Sequence, residues 1–494
     1  MRKLVHGGLV HRQQGAKAVF EKKDIIIQDN RIEKITDPVE VQPGEYDEVI
    51  SAENAIVIPG MINAHIHTHC HFVKGAFDNL PLEVWMLYTK PYFSGRKETP
   101  EDVYIKTLFG CIELLKCGTT MIIDDVVHCP TFSEEHYDMV MKAYKTAGLR
   151  ADVSVHLSNK PNYKTIPYLE SILDPEIQKK IEQSKIMPET EILDYVEGLI
   201  RKYNTPDAVQ RSVLSPSGPQ RSTIKLMQGM RDLSEKYHIP TVSHVLETRI
   251  QRETGYLFYG KSMVQWMADN DLLYPNLNAI HTVWVDDRDI ELLSRYHCKT
   301  VHNPASNLKL GSGIAPIAKL LKAGVEVGLG TDNTSCSDSL NLFESLKLSA
   351  LLQKVQTPDY KEWIGAQEAL HMATYNGAAC ACLEEELGLL TEGRKADMTI
   401  LDIDNERFLP HNNFVNQLVY CENGKSVRTV LIDGKTVVEN GKITTFDEQE
   451  VINAFKEVSE KMKPQQSVAE KEALPLRKSY EDAYYRVMHT GNYL

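Results

Sequence analysis

Eight short apolar runs divide the middle of the 494-residue chain, and each is followed by a segment with helical patterning. Short strands that alternate with helices predict βα units and a parallel sheet. Eight such units match a (β/α)8 barrel, the TIM barrel, with insertions. The predicted strands are Met61–His67, Gly118–Val126, Arg150–Ser158, Val213–Gly218, Pro240–Glu247, Leu277–Trp284, Lys299–Ser306 and Glu326–Thr334.

The two ends of the chain have a different texture, with β-type runs separated by turns. Near the C-terminus, Val427–Ile432 is followed by Asp433-Gly434, a pair of residues that favours a hairpin. We therefore predict an α/β protein in which a small β-sandwich domain, residues 1–58 with 396–446, is built from both chain ends. The barrel is predicted over residues 59–395, and the charged tail 447–494 is predicted to be helical.

Polar side chains close several of the predicted barrel strands. A strand's period of two sends His65 and His67 to the same face, although His69 and His71 continue the alternation and leave the register open. Active sites of TIM barrels lie at the carboxyl ends of the strands. The candidate residues at those ends are His65, His67, His244, Glu247, His281 and Asp332.

Imidazole and carboxylate side chains are the ligands that a catalytic zinc ion takes in proteins. Two imidazoles on one strand would supply half of such a site, and Asp332 could both ligate the metal and accept a proton from its water. Glu247, three positions after His244, could act as a general base without ligating the metal. Each motif also has a structural interpretation on its own: a histidine-rich loop, a helix cap for Asp332, or a buried core histidine for His281.

Charge and cysteine usage narrow the class of protein. Lysine and arginine total 55 and aspartate and glutamate 68, so the formal net charge is −13, which disfavours nucleic acid and anionic membranes as partners. The longest apolar runs are shorter than the roughly 18 residues that span a bilayer. Nine cysteines without a framework spacing favour a reducing compartment. We therefore expect a cytoplasmic enzyme without nucleic-acid or membrane partners.

Several of these segments together resemble one known family. The first-strand run resembles the signature of the amidohydrolase superfamily, and the others are similar to motifs of its deaminase and triazine-hydrolase branch. The matching segments are Pro59–His67, His244–Thr248, His302–Leu310, Gly328–Asp332 and Gly388–Asp397.

The resemblance implies a metal site and a division of roles. It selects His65 and His67 as the ligand pair, which His244 and Asp332 complete to a site for one divalent metal per subunit, Zn²⁺ or alternatively Fe²⁺. It implies that Glu247 shuttles protons and that His281, with Asp332, orients an attacking hydroxide that the metal has activated.

Further positions are implied for the substrate. The segment 74–85 resembles the loop that covers the substrate in adenosine-type deaminases, which makes Trp85 and Glu83 candidate contacts. Ser217, Asn303 and Ser306 are the other candidate substrate contacts. Two positions depart from those deaminases: Val84 stands where they carry a glutamate, and residues 214–220 hold no histidine.

The resemblance implies hydrolytic deamination of a small aminated heterocycle, of the purine, pterin, pyrimidine or s-triazine type, with release of ammonia. Removal of chloride or alkylamine from an s-triazine ring and hydrolysis of an amide or cyclic imide are the alternatives, and a non-catalytic barrel scaffold is a third. Members of the family are commonly dimers or larger, which implies a homo-oligomer.

Overall fold

The structure is a computed structural model that describes residues 1–14, 17–93, 97–127, 133–183 and 187–490. Strands β1 to β5 are Arg2–Gln14, Lys17–Gln28, Arg31–Thr36, Glu48–Ser51 and Ala55–Pro59. Strands β6 to β14 are Met61–His67, Thr119–Val126, Arg150–Val155, Gln210–Val213, Thr241–Val245, Leu277–His281, Lys299–His302, Val327–Leu329 and Asp332–Asn333. Strands β15 to β18 are Met398–Asp402, Val427–Ile432, Lys435–Glu439 and Lys442–Ile443.

The helices lie between and around these strands. Helices α1 to α9 are Leu82–Thr89, Pro100–Lys116, Glu134–Ala147, Leu169–Ile172, Pro175–Glu182, Glu189–Tyr203, Ile224–Tyr237, Arg249–Tyr259 and Met263–Asp269. Helices α10 to α17 are Asp287–Arg295, Pro304–Lys309, Ile317–Lys322, Leu342–Leu352, Ala366–Ala373, Tyr375–Cys380, Phe414–Tyr420 and Glu448–Thr490. None of the helices in the described part of the chain has the length and apolar character needed to cross a membrane.

The middle of the chain forms a closed parallel barrel, which confirms the predicted TIM-barrel fold. Strands β6 to β9 pair in order, as do β10 to β13, and β14 pairs with β6. A parallel bridge between Leu214 and Thr241 connects the two sets of strands. Because every barrel strand is parallel, all the strands end at the same rim, where the predicted site residues lie.

Several strands end earlier than the sequence predicts. The sixth was expected to reach Trp284 but ends at His281, because His281 and Thr282 adopt the left-handed conformation, with φ of 76° and 44°. The seventh ends at His302, because Pro304 starts a helix directly after it. Apolar periodicity shows where a strand runs but not where the backbone leaves the sheet.

A nine-stranded sheet joins the two ends of the chain, as the β-type runs predicted. Its order is β18-β17-β16-β15-β5-β1-β2-β3, with β4 on β1. The junction is the antiparallel pairing of β15 with β5, in which Met398 faces Pro59. The predicted hairpin turn at Asp433-Gly434 is present, and both residues have a positive φ (51° and 72°), as a type I′ turn requires.

Helix α17 packs along the barrel of its own chain, against α1 and α2. The Phe455 ring stacks on Phe72 and Phe109, with centroids 5.3 and 3.9 Å apart. Near the other end of the helix, the hydroxyls of Tyr480 and Tyr92 lie 2.6 Å apart. Since α1 also borders the barrel rim, α17 supports the wall of the site from behind.

A buried ion pair fixes the terminal sheet to the barrel. The Arg150 guanidinium at the start of β8 donates two hydrogen bonds to the Asp397 carboxylate, at 2.9 and 3.0 Å, and both side chains are less than a tenth exposed. Arg150→Met would leave Asp397 buried without its cation. We expect the free energy of unfolding to fall by about 3 to 5 kcal/mol, measured by urea denaturation.

The exposed pair of Lys319 and Asp287 provides a matched control. Lys319→Gln removes the same charge in water and should cost less than about 1 kcal/mol. An unfolding midpoint of Arg150→Met equal to that of the control would contradict the anchoring role.

Candidate active site

Three histidines and an aspartate from three strand ends face one another at the rim of the barrel. The Nε2 atoms of His67 and His244 are 3.3 Å apart. The Asp332 Oδ1 atom lies 3.6 Å from His67 Nε2 and 3.9 Å from His65 Nε2. Ligand atoms of His65, His67 and His244 all lie within 4.8 Å of one another, as do those of His65, His281 and Asp332. Such a set can hold one metal ion.

Hydrogen bonds from the barrel fix which nitrogen of each imidazole points inward. His67 Nδ1 donates to the carbonyl oxygen of Asp125 at 2.5 Å, and His244 Nδ1 donates to that of Ser217 at 2.8 Å. Each ring then carries its proton on Nδ1, and the two Nε2 atoms are both acceptors. Two acceptors 3.3 Å apart have no proton to share, so a cation between them satisfies both.

The remaining two ligands support the same conclusion. Both ring nitrogens of His65 are buried without a hydrogen-bond partner in the described part of the chain. Burial, followed by the neighbouring His67, lowers the pKa of His65 well below its usual value. Burial opposes ionisation of Asp332, but His281 and His67 outweigh it and hold the pKa of that carboxyl at about 2. Neutral imidazoles and an ionised carboxylate are the states that bind a divalent metal.

Glu247 and His281 lie beside this cluster. His281 Nε2 is 3.7 Å from Glu247 Oε2 and 3.8 Å from Asp332 Oδ2, so it faces both carboxylates. Its Nδ1 atom donates to Asn307 Oδ1 at 2.9 Å, which sets the ring orientation. Burial raises the pKa of Glu247, and its backbone N–H donates to Gln251. This pair can take up and pass on a proton at the site.

The strand ends that form the site are strained. Ser217, Leu246, His281 and Asp332 all adopt a positive φ, between 51° and 76°. This backbone conformation costs free energy for any residue other than glycine, so it persists only where the surroundings hold the residue in place. Such residues are frequent at functional sites. Ser217, His281 and Asp332 are themselves polar residues of the site, and Leu246 directly precedes Glu247.

A narrow pocket lies above the cluster. Helix α1 supplies one wall, because Leu82, Trp85, Met86 and Lys90 recur at helical spacing on a single face. Its free volume is about 20 Å³, room for roughly one water molecule. A heterocycle can therefore enter only when the side chains above the cluster move.

The predicted substrate contacts occupy different positions. Trp85 lines the pocket, and its Nε1 atom is buried without a hydrogen-bond partner. Glu83 is turned toward the start of α8, where it accepts a 2.7 Å hydrogen bond from Thr248, and burial raises its pKa to about 7. Ser217, Asn303 and Ser306 are not among the residues that line the pocket and instead contact side chains of the site: Ser306 donates to Asp332 Oδ2 at 2.6 Å, Asn303 Nδ2 lies 3.5 Å from His281 Nδ1, and the Ser217 hydroxyl lies 2.8 Å from His156 Nε2.

The histidines that follow the first strand lie apart from the cluster. His71 Nδ1 is 3.0 Å from the Thr334 hydroxyl, and the imidazole packs against Gly110. The side chain of His69 lies outside the described part of the chain. The contacts thus bring His65 and His67 to the cluster, the pair that the family resemblance selects.

The structure adds two sets of residues that the sequence interpretation did not select. Asp125 and His156, at the ends of β7 and β8, are joined by a 2.6 Å hydrogen bond, and His156 Nε2 lies 2.8 Å from the Ser217 hydroxyl. Lys90 and Arg221 both line the pocket. Asp125 and His156 sit at predicted strand ends, so the rule that selected the other ligands could have found them.

The chain matches known proteins in sequence over most of its length. The family model described as Amidohydrolase family matches residues 56–437. The chain is 32% identical over 452 residues to a 5-methylthioadenosine/S-adenosylhomocysteine deaminase from Syntrophomonas wolfei, which covers 91% of this chain and 96% of that protein.

Two solved structures share the fold at low sequence identity. A triazine hydrolase from Arthrobacter aurescens superposes with a TM-score of 0.84 at 21% identity, over 93% of this chain and 99% of that one. An adenosine deaminase with bound zinc from Xanthomonas campestris superposes with a TM-score of 0.81 at 22% identity, over 94% and 98%.

Proposed function

The chain belongs to the amidohydrolase family, and we propose that it removes the exocyclic amino group of an adenosine-type purine by hydrolysis, with release of ammonia. The class of reaction, hydrolytic cleavage of a C–N bond, is the one that the sequence motifs predicted. The observation that carries the proposal is the position of buried Glu247 and His281 directly beside a cluster of metal-ligand side chains.

His65, His67, His244 and Asp332 would hold one divalent metal, in the first place zinc and alternatively ferrous iron. When bound, the metal supplies a Lewis acid that makes hydroxide available near neutral pH. The chain's own part is to turn the imidazoles so that Nε2 faces the site, which the carbonyls of Asp125 and Ser217 do for His67 and His244.

Glu247 is the group that moves protons in this proposal. Its Oε2 atom accepts a proton from the attacking water and delivers it to the ring nitrogen next to the carbon under attack. The second water proton passes to the amino group, which leaves as ammonia. The ring carbon thereby loses its amino nitrogen and keeps the oxygen of the water as a carbonyl. His281 Nε2, held by Asn307, orients the attacking oxygen between Glu247 and Asp332.

The choice of an adenosine-type ring rests on the relatives and on Trp85. The relative from Syntrophomonas wolfei is named for two adenosine derivatives and matches this chain over nine tenths of its length. The buried indole of Trp85 at the pocket wall offers a flat apolar surface against which a purine can stack. Ser217, Asn303 and Ser306 would then shape the floor of the pocket.

Compartment and assembly are also proposed. The eight cysteines in the described part of the chain are all free thiols, and six of them are buried, which supports a reducing cytoplasm. A homo-oligomer remains a prediction from the family resemblance.

The experiment that tests the proposal is ammonia release by metal-loaded enzyme from a panel of aminated rings. The panel contains 5′-methylthioadenosine, guanine, a pterin, cytosine and melamine. From 5′-methylthioadenosine we expect one ammonia for each molecule of the inosine-type product. From the other rings we expect ammonia to be released more slowly. Ammonia from melamine or the pterin alone would refute the adenosine-type substrate while retaining deamination.

A further inference from the structure

Two cationic side chains line the pocket above the metal-ligand cluster. Arg221 lies in the loop after β9, and Lys90 directly follows the last residue of α1. The proposed deamination uses Glu247, His281 and the metal ligands, and none of its steps needs either cation.

Arg221 has no ion-pair partner within 4 Å in the described part of the chain, and the carboxylates of Glu247 and Glu83 act on its charge only from farther away. Its Nε atom is buried and makes no hydrogen bond in the described part of the chain. The guanidinium contact in the structure is a weak one, to the sulfur of Met86 at 3.6 Å. Among the described residues, no carboxylate oxygen lies within 4 Å of a guanidinium nitrogen of Arg221. A buried guanidinium with an unsatisfied donor is costly unless a ligand completes it.

Lys90 lies close to the same place. Lys90 caps the end of α1 one turn after Met86, and its backbone N–H donates to the Met86 carbonyl at 2.9 Å. The Lys90 ammonium is 3.3 Å from Nε2 of His156, whose Nδ1 atom is held by Asp125. Because Nδ1 donates to the carboxylate, Nε2 is an acceptor and holds the ammonium at the pocket wall.

We infer that Arg221 and Lys90 form an anion-binding subsite, so that the substrate of the proposed deamination carries a carboxylate or a phosphate group away from the reacting ring. This inference rests on the proposed function. Arg221 can bind either group through its planar fork of N–H donors, and Lys90 adds a point charge beside it. Both side chains have long flexible stems, so the Arg221 guanidinium can leave the Met86 sulfur as a ligand enters.

Paired substrates distinguish the anion from the ring. The kcat/KM of the metal-loaded full chain is measured with 5′-methylthioadenosine, which is neutral, with S-adenosylhomocysteine, which carries a carboxylate, and with adenosine 5′-monophosphate, which carries a phosphate. We expect one of the two anionic substrates to be preferred, and the preferred one identifies the group.

Arg221→Met tests the residue itself. We expect kcat/KM for the preferred anionic substrate to fall about 10- to 100-fold, mainly through KM, and that for 5′-methylthioadenosine to change less than about threefold. Arg221→Lys should restore part of the selectivity, because it keeps the charge and loses the fork. Lys90→Met should give a smaller loss in the same direction. Arg288→Gln, on the exposed face of α10, is the control and should change neither value.

Each outcome separates the subsite from the proposed function. Equal losses on neutral and anionic substrates in Arg221→Met would overturn the subsite and assign Arg221 a structural role, while the proposed deamination by the wild-type enzyme would still stand. A wild-type enzyme that deaminates 5′-methylthioadenosine better than either anionic substrate would also overturn it. A wild-type enzyme that deaminates none of the three would refute the adenosine-type function instead.

Discussion

Glu247→Gln is expected to lower kcat for deamination by about 10²- to 10⁴-fold, the contribution of a positioned general acid and base. Glutamine has the same shape and can stay in place beside His281, but its amide cannot accept the proton of the attacking water. Glu247 does not belong to any of the three groups of side chains in the described part of the chain that could hold a metal. We therefore expect the metal content and the melting temperature of the variant to match the wild type.

Glu253→Gln is the matched control for this prediction. Glu253 lies on α8, a few residues after Glu247, and does not line the pocket. The measurement is steady-state release of ammonia, together with metal analysis on the same preparations. A Glu247→Gln enzyme that turns over within about threefold of wild type would remove Glu247 from proton transfer.

The barrel and most of the cluster could be predicted because they depend on patterns that are local in sequence. Each barrel strand is a short apolar run, and a polar residue at its end necessarily lies at the common rim once the strands are parallel. His65 and His67 share a face because of the period of a strand. The convergence of His244 and Asp332 on that face follows from the fold and needs no knowledge of individual contacts.

The rest of the site depends on contacts that sequence patterns do not encode. Arg221 directly follows the segment 214–220, but its direction is set by the loop, in which its N–H donates to the Gly218 carbonyl and its own carbonyl accepts from Lys160. Whether an arginine in such a loop faces the pocket or solvent depends on those bonds. His156 could have been selected as a strand end, yet its hydrogen bonds to Asp125 and Ser217 join three separate strands.

The packing of α17 against α1 could not be predicted from the sequence either. The apolar residues of the tail, such as Val451 and Phe455, predict an amphipathic helix but not the surface on which it lies. The structure places α17 against α1, whose opposite face lines the pocket. A helix that is distant in sequence thus fixes one wall of the site.

His244→Ala is expected to lower both the metal content and the activity, because it removes one imidazole of the cluster and leaves His67 Nε2 without its partner across the site. Wild-type protein should hold about one metal ion per chain. A Lewis acid contributes several kcal/mol to such reactions, so kcat/KM should fall by about 10³-fold or more.

The metal-free wild-type protein, prepared with a chelator, separates loss of the ion from loss of the fold. Added zinc should raise its melting temperature and restore its activity, because an ion that binds the native state alone stabilises that state. The same addition should leave the melting temperature of His244→Ala almost unchanged. His297→Asn, a substitution at an exposed histidine after α10, should behave like the wild type. Full metal content in His244→Ala would show that the ion binds elsewhere, and the geometry of His65, His67 and Asp332 would then need another explanation.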